Sequence, residues 1–426
     1  MDRLLLRTSL LGAVVGLLAG ILVILFRYSI EWIQEGLLPG QLVGNYESLS
    51  GLDRFLFAVG GALILALMFE LIPAKHRATG IVHLLDYLRY RKKRLPFSNA
   101  LVQFFGGVVA IVSGQSVDRE GPGVHLGAAT VGLLGSRFKL SEDESYLLAA
   151  AGGAAAIAAA FNTPLAGVIF VIEVLRVRYA VNNIVPVIVA SVVGAIVGRI
   201  VYGPSPAFSV PAISIGSLTE LPVMLFMGVF IGFLSAGFIL SIQYLARKTF
   251  DWRPLYLMLP AGVITGILAQ WAPEIMGLSY DALSRILHNQ IGLQALFIIL
   301  IAKLIATAVS IGAKFPGGLI GPSLVMGGAI GGMTEHLLLQ WDSVFVGSIG
   351  FYAMIGMVAM MGATLRAPLS ALVALMELTG NLNIILPGMI AVVSGEIAAR
   401  ALIGDRSAFT AVLMVQAERR SLLRQN

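Results

Sequence analysis

Cysteine is absent from the 426 residues. That excludes a disulfide framework, thiol catalysis and any thiolate-ligated metal. Histidine is scarce: the five stand at positions 76, 83, 125, 288 and 336, and none forms an HxxxH pair. HExxH and GxSxG are missing too, so an intramembrane enzyme finds no support, and no metal or cofactor is expected. Charge is short as well, 12% of residues against about 25% in a soluble domain. In its place the chain is 58% hydrophobic, with a mean hydropathy of +0.89. Apolar runs cover the whole length, as in an all-α polytopic membrane protein. The formal charge of +6 does not argue for nucleic acid. The basic residues cluster in loops, the bias of cytoplasmic loops beside a membrane.

The first apolar run, Leu10 to Phe26, exceeds the ~7–15 residues of a signal-peptide core, and no small-residue cleavage site follows it. It reads as a membrane helix over 5–35, with Arg3 and Arg7 marking a cytoplasmic start. The run Phe55 to Ile72 returns the chain to the cytoplasm. There "PAKHRATGIVHLLDYLRYRKKRLPF" is the most basic loop. A final helix over 405–424 ends in the basic "AERRSLLRQN", also expected inside, with no room for a soluble regulatory domain.

The segments are uneven. Asn183–Tyr202, Leu221–Leu245 and Leu293–Ile311 are near the ~20 residues that a bilayer needs. Leu101–Val112, Val124–Phe138, Pro164–Leu175 and Pro368–Leu378 are too short and begin near Gly or Pro. Such breaks inside a membrane are tolerated where backbone lines a cavity or packs on protein. They also come in pairs. "GPGVHLGAATVG" from Gly121 recurs as "GPSLVMGGAIGG" from Gly321, an offset of 200. "FNTPLAGVIFVIE" (Phe161–Glu173) recurs as "LRAPLSALVALME" (Leu365–Glu377), an offset of 204. Two blocks in the same order at nearly one offset define an internal repeat, with halves at about 50–200 and 221–403 of a single membrane domain spanning 1–426. Corresponding broken helices in two halves mark a transport site at the repeat interface.

A helix that starts inside the membrane offers unpaired N–H groups and a positive dipole end. Several converging ends make an anion site that needs no fixed cation. Three segments fit: "ATGIV" (Ala78, Thr79, Gly80, Ile81, Val82), "DREGP" (Asp118, Arg119, Glu120, Gly121, Pro122) and "GLIGP" (Gly318, Leu319, Ile320, Gly321, Pro322).

These three motifs resemble the filter motifs GSGIP, GREGP and GxFxP of the CLC family of chloride channels and chloride/proton antiporters. "LAAAGGAAAIAAAFNTPLAGVIFVIEVLR" and "MIGMVAMMGATLRAPLSALVALMELTGNLNIILP" are similar to the same family. The resemblance implies two inverted-topology halves of short, tilted or broken helices. It also implies a homodimer with an anion pathway in each subunit. On this likeness Glu120 is the gating and proton-transferring glutamate. Its carboxylate mimics the anion at an outer site and swings away when protonated. Thr79, Leu319, Ile320 and Phe409 are matched to the central anion. The expected function is anion transport, chloride first, with loosely coupled proton exchange. A passive chloride channel or a fluoride-selective member is the alternative. The expected location is a bacterial-type inner membrane with both termini cytoplasmic. The expected partners are the anion, protons, lipid and a second copy of the chain.

The departures from the family pattern matter. Thr79 replaces a serine and keeps its hydroxyl. Val82 replaces a proline. Ile320 replaces a phenylalanine and leaves the backbone donor intact. Phe409, in "GDRSAFTAVL", replaces the tyrosine and removes a hydroxyl donor. Asp118 replaces a glycine and either caps a helix or adds negative field at the outer mouth. Arg119 has a structural or field-setting role. Val174 stands where antiporters of the family carry an inner proton glutamate, and valine cannot hold a proton. Its neighbour Glu173 is either a helix-end carboxylate or a second proton site.

Overall fold

The computed structural model describes residues 3–78, 80–90, 95–208, 210, 216–341 and 350–425. The first half runs through α1 (Arg3–Leu37), α2 (Gly51–Leu71), α3 (Gly80–Arg89), α4 (Phe97–Val112), α5 (Glu120–Ala129), α6 (Val131–Phe138), α7 (Glu142–Phe161), α8 (Pro164–Glu173) and α9 (Val181–Tyr202). The second runs through α10 (Leu221–Lys248), α11 (Pro254–Leu268), α12 (Tyr280–Leu287), α13 (Leu293–Gly312), α14 (Ile320–Trp341), α15 (Phe351–Leu365), α16 (Pro368–Thr379), α17 (Ile385–Ile403) and α18 (Ala408–Gln425). Among the described residues, seven helices are long and apolar enough to cross a membrane. The protein is therefore an all-α, multi-pass membrane protein.

The repeat is visible in the packing. α1 lies on α9, and α10 lies on α17. Small residues permit both approaches. A Cβ on Gly12 or Gly16 would strike the backbone of Pro186 or Ala190, and one on Gly228 or Gly232 that of Ala391 or Gly395. Gly127 and Gly152 press backbone to backbone where α5 meets α7, as Gly327 and Gly356 do where α14 meets α15. One antiparallel bridge joins the halves, with the Asp118 N–H on the Gly318 carbonyl at 3.2 Å and the Gly318 N–H on the Asp118 carbonyl at 2.8 Å.

α8 and α16 show the inversion directly. The Glu173 carboxylate at the end of α8 accepts from the Leu369 and Ser370 amides (3.1 and 2.7 Å) in the first turn of α16. Glu377 at the end of α16 accepts from the Leu165 and Ala166 amides (3.0 and 2.8 Å) in the first turn of α8. Each helix thus caps the other's N-terminus, which requires them to run antiparallel.

Element limits differ from the sequence reading in physically simple ways. α4 starts four residues before Leu101, at Phe97 after Pro96. The segment expected from Val124 starts at Glu120 and breaks at Thr130, whose hydroxyl bonds the Gly127 carbonyl at 2.7 Å. α18 starts at Ala408 because Ser407 and Thr410 cap it reciprocally: the Ser407 N–H meets the Thr410 hydroxyl, and the Thr410 N–H the Ser407 hydroxyl.

The two faces of the molecule are distinguishable. Arg7 bonds the Phe138 carbonyl at 3.0 Å and pairs with Glu144, bringing the start of α1, the end of α6 and the start of α7 together. Asp86 of α3 is gripped by Arg420 of α18 at 2.6 and 2.9 Å. This is the basic face. Arg27, Phe161 and Tyr202, late in α1, α7 and α9, lie around a cavity at the opposite face.

Candidate anion site

α5 opens at Glu120 and α14 opens at Ile320, so the bridge at Asp118 and Gly318 points two helix N-termini at one place. The Glu120 side chain is buried there. Its Oε1 accepts from the Ile320 amide at 2.7 Å and from the Leu319 amide. Its Oε2 has no hydrogen-bond partner among the described residues. A carboxylate oxygen on two successive amides at a helix N-terminus stands where an anion would be held. The sequence reading placed Glu120 at an outer site and gave the Leu319 and Ile320 amides to a separate central anion. The structure puts the carboxylate on those amides. A Cβ on Gly318 would run into that carboxylate and push it off the amides. Gly121 has to lack a side chain, because a Cβ there would strike the Gly317 backbone carbonyl.

Asp118 joins the same donor set. Its Oδ2 accepts from the Gly321 amide at 2.6 Å, and its Oδ1 from the Arg119 amide at 2.7 Å. The Tyr280 hydroxyl reaches both oxygens at 2.9 Å. Capping was one of the two roles open to this residue, but the helix it serves is α14 of the other half. Three consecutive amides, Leu319 to Gly321, therefore hold two carboxylates.

Arg119 does not pair with Glu120. Its guanidinium sits between the rings of Phe161 (5.0 Å) and Tyr280 (5.2 Å). It faces a cavity of about 310 Å³ shared with Arg27, Glu31 and Tyr202. This cavity lies on the face opposite the basic one and is called the outer vestibule after the orientation expected from the basic loops. On the basic face a cavity of about 660 Å³ is lined by Val174 and Thr410, with Arg89, Asp143, Arg176 and Arg178. Val174 thus lines the cavity of the basic face, called the inner cavity in the same expected orientation, where an acid would be reached by water. Phe409 is buried in the first turn of α18, beside Thr410. Both oxygens of Glu173 are engaged on α16.

Thr79 lies outside the described residues. Around it, the Asn99 amide donates to the Ala78 carbonyl at 2.8 Å, and the Gly80 amide donates to Gln103. Gly80 has φ +72°, a left-handed conformation that suits glycine and turns the chain into α3. Ile81 is buried and Val82 half-buried. Pro122 and Pro322 each fall at the third residue of their helices, where the missing N–H costs no helical bond.

Sequence reasoning missed three features. Tyr280 fixes Asp118. Lys303 is fully buried, its ammonium on the Ile275 carbonyl (2.9 Å) and on the hydroxyl of Ser279 (2.7 Å), the residue before Tyr280. Its signal was one lysine in "LQALFIILIAKLIATAVSIG". The third is a pair of buried imidazoles, His83 and His125, 2.8 Å apart.

With this geometry in place the comparisons are direct. Residues 60–400 match the family model described as voltage gated chloride channel. The chain belongs to that family. The H(+)/Cl(-) exchange transporter ClcA of Vibrio cholerae serotype O1 (strain M66-2) is 32% identical over 71% of this chain and 67% of its own. The protein of the same name from Cronobacter sakazakii is 27% identical over 97% and 90%. Among solved structures, a slow cyanobacterial Cl-/H+ antiporter superposes with a TM-score of 0.83, covering 99% of each chain at 24% identity. A CLC-type fluoride/proton antiporter superposes with 0.79, at 20% identity over 96% of this chain and 98% of the other. These last two likenesses concern the fold.

Proposed function

We propose that this protein moves anions, chloride first, in exchange for protons, with Glu120 as gate and proton carrier and with loose coupling. The observation that carries the reading is the Glu120 carboxylate on the Leu319 and Ile320 amides. When charged, the side chain takes the anion's donors. When protonated, it loses much of its hold there, and a chloride from the outer vestibule replaces it. Such a swing links the entry of an anion to a proton held on the side chain. The relatives' names, H(+)/Cl(-) exchange transporter, support this reading. By the positive-inside bias the basic face is cytoplasmic, in a bacterial-type inner membrane. The exposed apolar residues of α9 and α17, among them Ile188, Val192, Met389 and Val393, suit the seam of a homodimer.

In the test, purified protein in vesicles carries chloride down its gradient while the internal pH is recorded. Glu120→Gln imitates the protonated acid and should keep the chloride flux while proton movement stops. Proton movement at the wild-type rate in that variant would remove Glu120 from the role. Val174 on the inner cavity favours one second reading, a passive channel on the same scaffold. Wild-type protein that carries chloride and moves no protons would establish it.

A further inference from the structure

The inner face lacks the acid expected at Val174, yet it holds two buried imidazoles that the anion site does not use. His83 Nδ1 and His125 Nε2 are 2.8 Å apart, one donating to the other. The rings lie 5.0 Å apart, centre to centre. His125 is fully buried, and its Nδ1 has no partner among the described residues. Two more orphaned polar atoms, Asn99 Oδ1 and Gln103 Nε2, belong to α4, which packs against α5. Buried polar atoms left in this state are where internal water is held.

The position follows from the chain. His125 stands five residues after Glu120 on α5, about 7.5 Å along the axis at ~1.5 Å per residue. From there α5 continues through α6 to Phe138 on the basic face. His83 is on α3, whose Leu85, Leu88 and Arg89 line the inner cavity with Val174. The pair therefore lies between that cavity and Glu120.

We infer that His83 and His125 form the inner proton relay of this protein, in place of the acid missing at Val174. A proton from the cavity side binds His83 Nε2. The proton on His83 Nδ1 crosses to His125 Nε2, and the proton on His125 Nδ1 leaves through water toward Glu120. One proton enters and one leaves. Both rings end neutral with their tautomers exchanged, and water on either side resets them. Among the described ionisable groups on the packed helices, Arg89 of α3 and Asp143 of α7 line the inner cavity. Asp86 of α3 is bound by Arg420 of α18, Tyr87 of α3 packs at a tilt against Tyr146 of α7, and Arg137 of α6 is exposed. On α7, Glu144 holds Arg7 of α1 and caps its own helix, while Glu142 and Asp143 sit in the first turn. Arg27 of α1 is paired with Glu31 toward the outer face. Arg419 of α18 is paired with Asp251, and Glu418 with Arg247. α4 carries no ionisable side chain.

The inference rests on the proton-exchange reading, and its test separates the two. His125→Gln and His83→Gln keep a polar side chain and a hydrogen bond but relay no proton at neutral pH. Each is reconstituted, and chloride flux and chloride-driven proton movement are recorded together. Chloride flux should stay within about twofold and proton movement should fall about a hundredfold, the scale of losing a positioned acid–base group. Retained chloride flux shows a folded protein, and if one variant fails to carry chloride the other decides. Wild-type proton movement in a variant that carries chloride overturns the relay and leaves the exchange reading standing. Wild-type protein that moves no protons overturns both.

Discussion

Two carboxylates from DREGP, Asp118 and Glu120, are held on three consecutive amides of the opposite half. Removing one should free a donor for the anion. Asp118→Gly restores the glycine of the family pattern and releases the Gly321 amide. One hydrogen bond is worth ~0.5–1.5 kcal/mol net, so chloride should bind about fivefold more tightly. Titration calorimetry on detergent-solubilised protein measures this, and unchanged affinity would place Asp118 outside the anion's reach. A second residue-scale expectation concerns pH at the outer mouth. Glu47, on the loop between α1 and α2, is pushed up to about 7 by burial and by Asp281, which lines the outer vestibule. Its charge is present above that pH and lost below it. In the Glu120→Gln background, where the gate no longer titrates, chloride uptake should still rise as external pH falls through about 7. Glu47→Gln should remove that rise, and persistence of the rise in the double variant would assign it to another group.

At the scale of elements, the reciprocal caps of α8 and α16 give Glu173 a structural task. Glutamine replaces a two-oxygen acceptor with one, a loss on the order of 1 kcal/mol by analogy with other helix caps. Glu173→Gln and Glu377→Gln should therefore lower the thermal unfolding midpoint by similar amounts and leave proton movement unchanged. Lost proton movement in Glu173→Gln alone would make Glu173 a proton site instead. These caps also show where the sequence stops being legible. The two glutamates stood out as repeat partners, because the blocks containing them share Pro, Leu and Glu at one offset. Their reciprocity did not, because it depends on α8 lying antiparallel beside α16. The break positions were readable because Gly and Pro mark them locally. Asp118 looked like a cap, but its helix is in the other half. His83 and His125 are 42 residues apart, and neither has a local pattern that pairs it with the other.

For the whole molecule, class, repeat and family motifs were all in the sequence, since hydropathy and paired Gly-Pro breaks are properties of the chain itself. The joining of the halves was not. The bridge at Asp118 and Gly318 sets the amides of one half on the carboxylates of the other, so the anion site exists only when both halves are folded together. The same arrangement makes coupling a property of the whole path: outer vestibule, Glu120, imidazole pair and inner cavity. Val174 is the weakest member of that path. Val174→Glu places an acid on the inner cavity and should raise the number of protons moved per chloride, read from simultaneous chloride and pH recordings. An unchanged ratio would mean that proton supply from the inner face is not what limits coupling. The central claim is exchange itself, and the reversal potential tests it most directly, with reconstituted protein in a chloride gradient crossed with a pH gradient. The account predicts a potential that shifts with pH, by less than a tightly coupled exchanger would show; a potential that follows chloride alone would contradict it.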